Sequence, residues 1–303
     1  MDPLGLRAPR QESRRDRRVT TQDHREATGS DMDVCAYLDR IGFTEDPRID
    51  LPTLRILHQR HLRTIPYENL DIQLGRFVPT DPDLAFRKLV TDRRGGWCYE
   101  MNGLFGAALT ALGFDVTLVH ASIEQGAASV QLSHLALVVD IGQPYLLDVG
   151  FGDGLLGPIP IREGIHRQGE RQFGLEALGQ GVWRFINHPS SSVRSFTFSV
   201  APADPQIIAN DSARLQMAAN SPYVQNLVCQ RHTAHGVSVL LGRVLCSLRS
   251  ETPEVTFLQS AEAFTRALET EFGIVLPAAS GLWATVCERH EVLFPASQAT
   301  LIR

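Results

Sequence analysis

An α+β fold is predicted for this chain by three observations. Apolar residues recur at helical spacing through residues 33 to 115. From Phe114 onward they alternate with a period of two. A last helical stretch returns at residues 261 to 272. With 303 residues the chain can bury a large core and divide into two or three domains.

The elements follow in order. Residues 1–31 carry Arg7, Arg10, Arg14, Arg15, Arg17, Arg18 and Arg25 among Asp, Glu, Gln and Thr, with almost no large apolar residue. Such a segment supplies little core burial, so a disordered Arg-rich extension is expected there. A nucleic-acid or membrane arm is the sharper alternative, and the interspersed acids weaken it. Patterned sequence begins at Met32. Val34, Tyr37, Leu38 and Ile41 form a short apolar stripe ended by Gly42. Asp50-Leu51-Pro52-Thr53 is a helix start, with Pro tolerated in the first turn. Leu54, Leu57, His61, Leu62 and Ile65 follow, and Pro66 closes the run. His58 and His61 read as packing or surface residues rather than ligands. Leu104, Phe105, Ala108, Leu109 and Leu112 mark another helix, stopped at Gly113.

The period then changes. Val116, Leu118 and His120 alternate with Thr117, Val119 and Ala121. Leu135, Leu137, Val139 and Ile141 alternate again. Tyr145, Leu147 and Val149 continue after a Gly-Gln-Pro break, which makes a hairpin. Residues 193 to 200 and 237 to 248 add strands. Asp204 to Pro222, rich in Pro, Asn and Ser, reads as a long irregular connection. A final helix covers residues 261 to 272, with Gly273 behind it.

Composition narrows the function. The formal charge of −5 offers no global basic field for nucleic acid. The five cysteines, Cys35, Cys98, Cys229, Cys246 and Cys287, are few, scattered and odd in number, which fits a reducing compartment. No stretch is long and apolar enough to span a membrane, and no apolar region follows the N-terminal arginines, so cytoplasm is the expected location. The ten histidines show no zinc spacing, and no metal is expected.

Chemistry concentrates in Arg93-Arg94-Gly95-Gly96-Trp97-Cys98-Tyr99-Glu100-Met101-Asn102. Two glycines, which allow close backbone approach or unusual dihedrals, precede a cysteine in or near the first turn of a helix. Free N–H groups and the helix dipole favour an anion there, and a thiolate is the reactive form of the thiol. An isolated cysteine of this kind is more often an inert buried residue. A nucleophilic thiol needs a base, and the base needs an orienting group. The hairpin offers both in His134 and Asp148. They share a face if the cross-strand pairing sets residue 134 opposite 150, and a one-residue slip separates them. A lone His or Asp at such places is usually a satisfied polar or capping residue, yet an Asp within an apolar strand is costly unless paired.

These strings resemble the arylamine N-acetyltransferase family. The resemblance covers roughly residues 34 to 303. It is carried by Pro52-Thr53-Leu54, Leu57-His58, His61-Leu62, Ile65 to Asp71, Leu74-Gly75-Arg76, Arg93 to Asn102, Leu112-Gly113-Phe114, His134, and Tyr145 to Gly152. It implies a cysteine-protease-like Cys-His-Asp triad at Cys98, His134 and Asp148. It implies three parts: a helical bundle carrying the nucleophile (32–115), a β-barrel-like domain carrying His and Asp (116–222) and an α/β lid (223–303). The implied reaction takes acetyl from acetyl-CoA, as co-substrate, onto the cysteine and passes it to an arylamine or arylhydrazine acceptor. Tyr67 and Phe151 align with aromatic positions of the acceptor pocket. Arg94 and Glu68 match a pair that braces the catalytic loop, and Glu100 and Asn102 read as supports. Two positions depart from the family. Leu132-Ser133 stands where Arg-Thr or Arg-Ser often precedes the histidine, and Tyr67 replaces a common Phe. Alternatives that keep the fold are an amide synthase releasing a polyketide chain and a binding homologue without activity.

Overall fold

A computed structural model describes residues 32–123, 132–249 and 252–294. The extension expected over residues 1–31 lies outside the described residues. The chain folds as a mixture of helices and antiparallel sheet.

Helices start where the sequence marks them. Asp33 caps α1 (Val34–Ile41) by accepting from the Ala36 N–H at 3.1 Å, and the helix closes on Gly42 in the left-handed region. Asp50 caps α2 (Leu51–Thr64) through the Thr53 N–H at 2.9 Å. Strand β1 (Tyr67–Glu68), α3 (Leu70–Gln73), α4 (Pro82–Phe86) and a π-helical turn (Arg87–Thr91) lead to α5 (Cys98–Ala111). Tyr37, Leu54, Leu57, Leu104 and Phe105 join the first core. Burial of each such side chain is worth about 1.5–3 kcal/mol before chain entropy is counted.

Eight strands follow: β2 (Asp115–Ile123), β3 (Leu132–Asp140), β4 (Pro144–Leu147), β5 (Ile159–Pro160), β6 (Gly164–Gln168), β7 (Arg171–Gly179), β8 (Val182–Ile186) and β9 (Ser195–Ser199). They form one antiparallel sheet in the order β5-β4-β3-β2-β9-β8-β7-β6. Its two edges meet at Gln168, whose side chain accepts from the Leu156 N–H at 2.8 Å and donates to the Gly157 carbonyl at 2.7 Å. The sheet is therefore a nearly closed, barrel-like layer. Strand β3 is buried on both faces from Leu132 to Val139. Leu137 and Val139 pack on the helices, while Ala136 and Val138 point into the barrel core with Phe185 and Phe196. The even-numbered face of β3, which carries His134, thus looks into the barrel.

The expected irregular connection over Asp204 to Pro222 is corrected by the structure. It contains α6 (Pro205–Met217), capped by Asp204 through the Gln206 N–H, and is followed by the short α7 (Pro222–Gln225). Asp204-Pro205 is the same cap-plus-proline start seen at α2, and it outweighs the Asn and Ser content. The chain ends in a second antiparallel sheet, ordered β1-β10-β11-β12-β13, built from β10 (Val228–His232), β11 (Val237–Leu241), β12 (Val244–Ser247) and β13 (Glu254–Phe257). Helices α8 (Ala261–Phe272) and α9 (Trp283–Leu293) cover it, with Phe264, Leu268 and Phe272 on Leu240 and Leu245. Strand β1 ties this sheet to the loop in front of α5.

Candidate active site

Cys98 is the first residue of α5 and is 1% exposed. The loop before it runs tightly along β1. The Gly96 N–H donates to the Pro66 carbonyl at 3.2 Å and the Glu68 N–H to the Gly96 carbonyl at 2.9 Å. A Cβ on Gly95 would lie 2.2 Å from the Pro66 oxygen, and one on Gly96 2.8 Å from the Glu100 carboxylate. These glycines serve close approach. The left-handed residue of the loop is Arg93, at φ 53°.

Buried ion pairs hold the loop. Arg94 Nη2 lies 2.6 Å from Glu68 Oε1 and 3.2 Å from Asp71 Oδ2. Lys88, on the π-helical turn, lies 2.9 Å from both Asp71 and Glu100. Glu100 Oε2 also accepts from the Trp97 N–H at 3.3 Å, which caps α5. Burial pushes the Glu100 carboxyl up to about 7 against the pull of Lys88.

The hairpin register brings His134 and Asp148 together. Leu137 pairs with Leu147 and Val138 with Leu146, which extends to residue 134 opposite 150. His134 Nε2 and Asp148 Oδ2 are 2.6 Å apart, and both residues are buried. The other ring nitrogen is left free of Asp148, and Cys98 stands close enough to act on the charge of the ring. Burial alone would lower the imidazolium's pKa. The charge and hydrogen bond of Asp148, then those of Cys98, outweigh it and hold His134 up at about 10.

Asp148 is itself clamped. Asn102 Nδ2 donates to Asp148 Oδ1 at 2.8 Å and to the Leu135 carbonyl at 2.6 Å, and its Oδ1 accepts from the Val149 N–H at 2.9 Å. The Gly150 N–H donates to Asp148 Oδ1 at 2.9 Å. The Asp148 N–H donates to His58 Nε2 at 3.3 Å, and burial drives His58 down to about 3, so it is neutral. A Cβ on Gly150 would lie 2.7 Å from both Cys98 Cα and Asn102 Nδ2. The sequence reading placed Asn102 only among helix-start supports. Its i+4 spacing from Cys98 puts both on one helix face, and that signal could have assigned it to the Asp148 side of the site.

The two candidate pocket residues lie on opposite sides. The Phe151 ring is 5.0 Å from His134 and 5.0 Å from Phe196, in the barrel core. Tyr67 packs, with Tyr223, on the cluster that holds Cys98 and Trp97. Tyr223, which sequence reasoning missed, also stands edge-on to Trp97 at 5.3 Å. Among the described residues no group of His, Cys, Asp and Glu is arranged to hold a metal ion, and no helix is long and apolar enough to cross a membrane.

Known proteins place this arrangement. A family model described as N-acetyltransferase matches residues 50–280. The arylamine N-acetyltransferase of Mycolicibacterium smegmatis is 32% identical over 269 residues, covering 82% of this chain and 94% of that protein. The chain belongs to the arylamine N-acetyltransferase family. It is therefore a member of a transferase family. Arylamine N-acetyltransferase 1 of Oryctolagus cuniculus is 29% identical over 277 residues, covering 81% of this chain and 95% of its own length. Among solved arylamine N-acetyltransferases, that of Nocardia farcinica superposes with a TM-score of 0.76 at 32% identity, covering 86% of this chain and 96% of that one. That of Mycobacterium marinum, solved in complex with CoA, superposes at 0.74 with 27% identity, covering 85% and 98%.

Proposed function

We propose that the protein is an acetyl-CoA-dependent N-acetyltransferase of arylamines and arylhydrazines, working through an acetyl-Cys98 intermediate. The observation that carries this reading is the buried His134–Asp148 pair, 2.6 Å apart, with Cys98 beside it at the start of α5. An imidazolium next to the thiol supplies the positive charge a thiolate nucleophile needs. Cys98 Sγ attacks the thioester carbonyl of acetyl-CoA. Backbone N–H groups of the first turn, that of Cys98 included, stabilise the oxyanion. The CoA thiolate leaves and takes a proton from His134. The amine then attacks acetyl-Cys98 and gives its proton to His134, which releases the acetylated amine and restores the pair. Asp148 holds the ring orientation and offsets its charge.

Tyr67 on the Cys98 side and Phe151 on the His134 side form aromatic walls suited to a flat arylamine. A division into 32–115, 116–222 and 223–303, the last acting as a lid, is supported by separate cores in the helices, barrel and second sheet. Cytoplasmic location is supported by the five cysteines, all free thiols.

Intact mass spectrometry after mixing with acetyl-CoA alone tests the mechanism. One acetyl adduct is expected on the wild type and none on Cys98→Ala. No adduct on the wild type, or an equal adduct on the variant, overturns it.

A further inference from the structure

Helix α2 lays a row of long polar side chains, Arg55, Gln59 and Arg63, along the closing seam of the barrel. They stand four residues apart, so they fall on successive turns of one helix face. Two hollows of about 390 and 490 Å³ lie between this face and the β6–β7 turn, and they share Gln59, Leu156, Gln168 and Gly169 as a common wall. They are therefore halves of one groove. Each half holds one arginine from the helix and one from the barrel. Arg55 and Arg167 line one half, and Arg63 and Arg171 line the other. Eight residues of α-helix rise about 12 Å, which sets the spacing of the two helix arginines along the groove.

The charge of the groove is one-sided. Among the described residues, Glu170 is the sole acid lining either half, in a chain whose formal charge is −5. Arg55, Arg63 and Arg167 are exposed and Arg171 is half-buried, and among the described residues none of the four forms an ion pair. Two of them are braced by neutral groups. Arg171 Nη1 donates to the Asp153 carbonyl at 2.7 Å, and the Gln172 amide oxygen accepts from Arg167 Nη1 at 3.1 Å. A guanidinium has five N–H donors, so each keeps several for a ligand. Like charges gathered in a cleft focus their field on an anion, and guanidinium forks match phosphate oxygens. Among the described residues no Phe, Tyr or Trp lines either half, which leaves no platform for a nucleobase to stack on. Cys98, His134, Tyr67 and Phe151 are not in its walls, so the groove is separate from the candidate active site. We propose that this groove is a binding site for a free oligophosphate, laid along α2 with an arginine pair at each end.

The test is isothermal titration calorimetry of the full chain with inorganic tripolyphosphate at fixed salt. The wild type should bind it saturably at a single site. Arg55→Glu and Arg63→Glu should each weaken binding at least about tenfold, the loss expected when a charge-assisted contact is removed. Both residues are exposed, and thermal melting checks that the variants stay folded. Arg266→Glu, on α8 and outside the groove, makes the same change in net charge and should leave the affinity unchanged. ATP should bind no more tightly than tripolyphosphate, because nothing in the groove receives the base. CoA, which the proposed reaction brings to Cys98, should keep its affinity in both groove variants. The absence of saturable binding, an affinity that survives both substitutions, or equal weakening by Arg266→Glu overturns the proposal. Tighter binding of ATP overturns the choice of a free oligophosphate. A comparable loss of CoA affinity in Arg55→Glu or Arg63→Glu gives the groove to the coenzyme and overturns the proposal while leaving the acetyl-transfer reading in place.

Discussion

His134 is balanced between two opposing effects at one residue. Burial disfavours its charged form, while Asp148 at 2.6 Å and Cys98 favour it, and the attraction wins, leaving the group titrating at about 10. An unperturbed histidine titrates near about 6.5. The folded value lies above the unfolded one, so the stabilisation is fully present below about pH 6.5 and is lost as pH rises through about 10. The melting-temperature gap between the wild type and Asp148→Asn should therefore narrow steadily across that window. A gap that stays constant from one end to the other would sink the assignment. The residue types of this triad were legible in the sequence because each is unusual for its setting: a thiol at a helix start, an imidazole opening an apolar strand and a carboxylate closing one. Asn102 was harder to read. An asparagine makes the same hydrogen bonds in a helix start as in a clamp, and only its neighbours in space distinguish them.

Among the elements, α5 depends on ion pairs made far from its own sequence. Lys88 on the π-helical turn bridges Asp71 and Glu100, and its side chain is only 16% exposed. Removing one partner from a buried pair leaves an uncompensated charge, at a cost of about 3–5 kcal/mol. Lys88→Met should lose stability of that order in urea unfolding and slow Cys98 acetylation. A loss below about 1 kcal/mol, typical of surface pairs, would show that the cluster does not hold the loop. The helices α1, α2 and α5 could be read in advance from their caps and apolar stripes, since both signals are local. Helix α6 could not be read from its Asn- and Ser-rich composition, although Asp204-Pro205 announced it. Strands β5 to β8 were not anticipated either. They are short or half-exposed, and their pairing partners supply the order their own sequences do not.

At the scale of the molecule, the His134–Asp148 hairpin lies between two cores, one helical and one inside the barrel. That explains why β3 shows no wet face, and why alternation alone could not say which side His134 takes. The barrel is completed by a side chain rather than by a strand pairing, since Gln168 spans the seam to Leu156 and Gly157. Gln168→Ala leaves an N–H and a carbonyl without their partner. It should cost about 1–3 kcal/mol, seen as a lower melting temperature. A variant that melts with the wild type would mean that water replaces the bridge at no cost.

The sequence by itself determined the starts of α1, α2, α5 and α8, the change of period at Phe114, the family and the three residues proposed for chemistry. All of these rest on residue type and short-range spacing. The tertiary structure decided the register that faces His134 toward Asp148, the ion pairs that hold the α5 loop, and the clamp of Asn102 on Asp148. Those contacts join residues 12 to 46 positions apart. Their geometry follows from how cores pack against one another, and no local pattern in the chain records it.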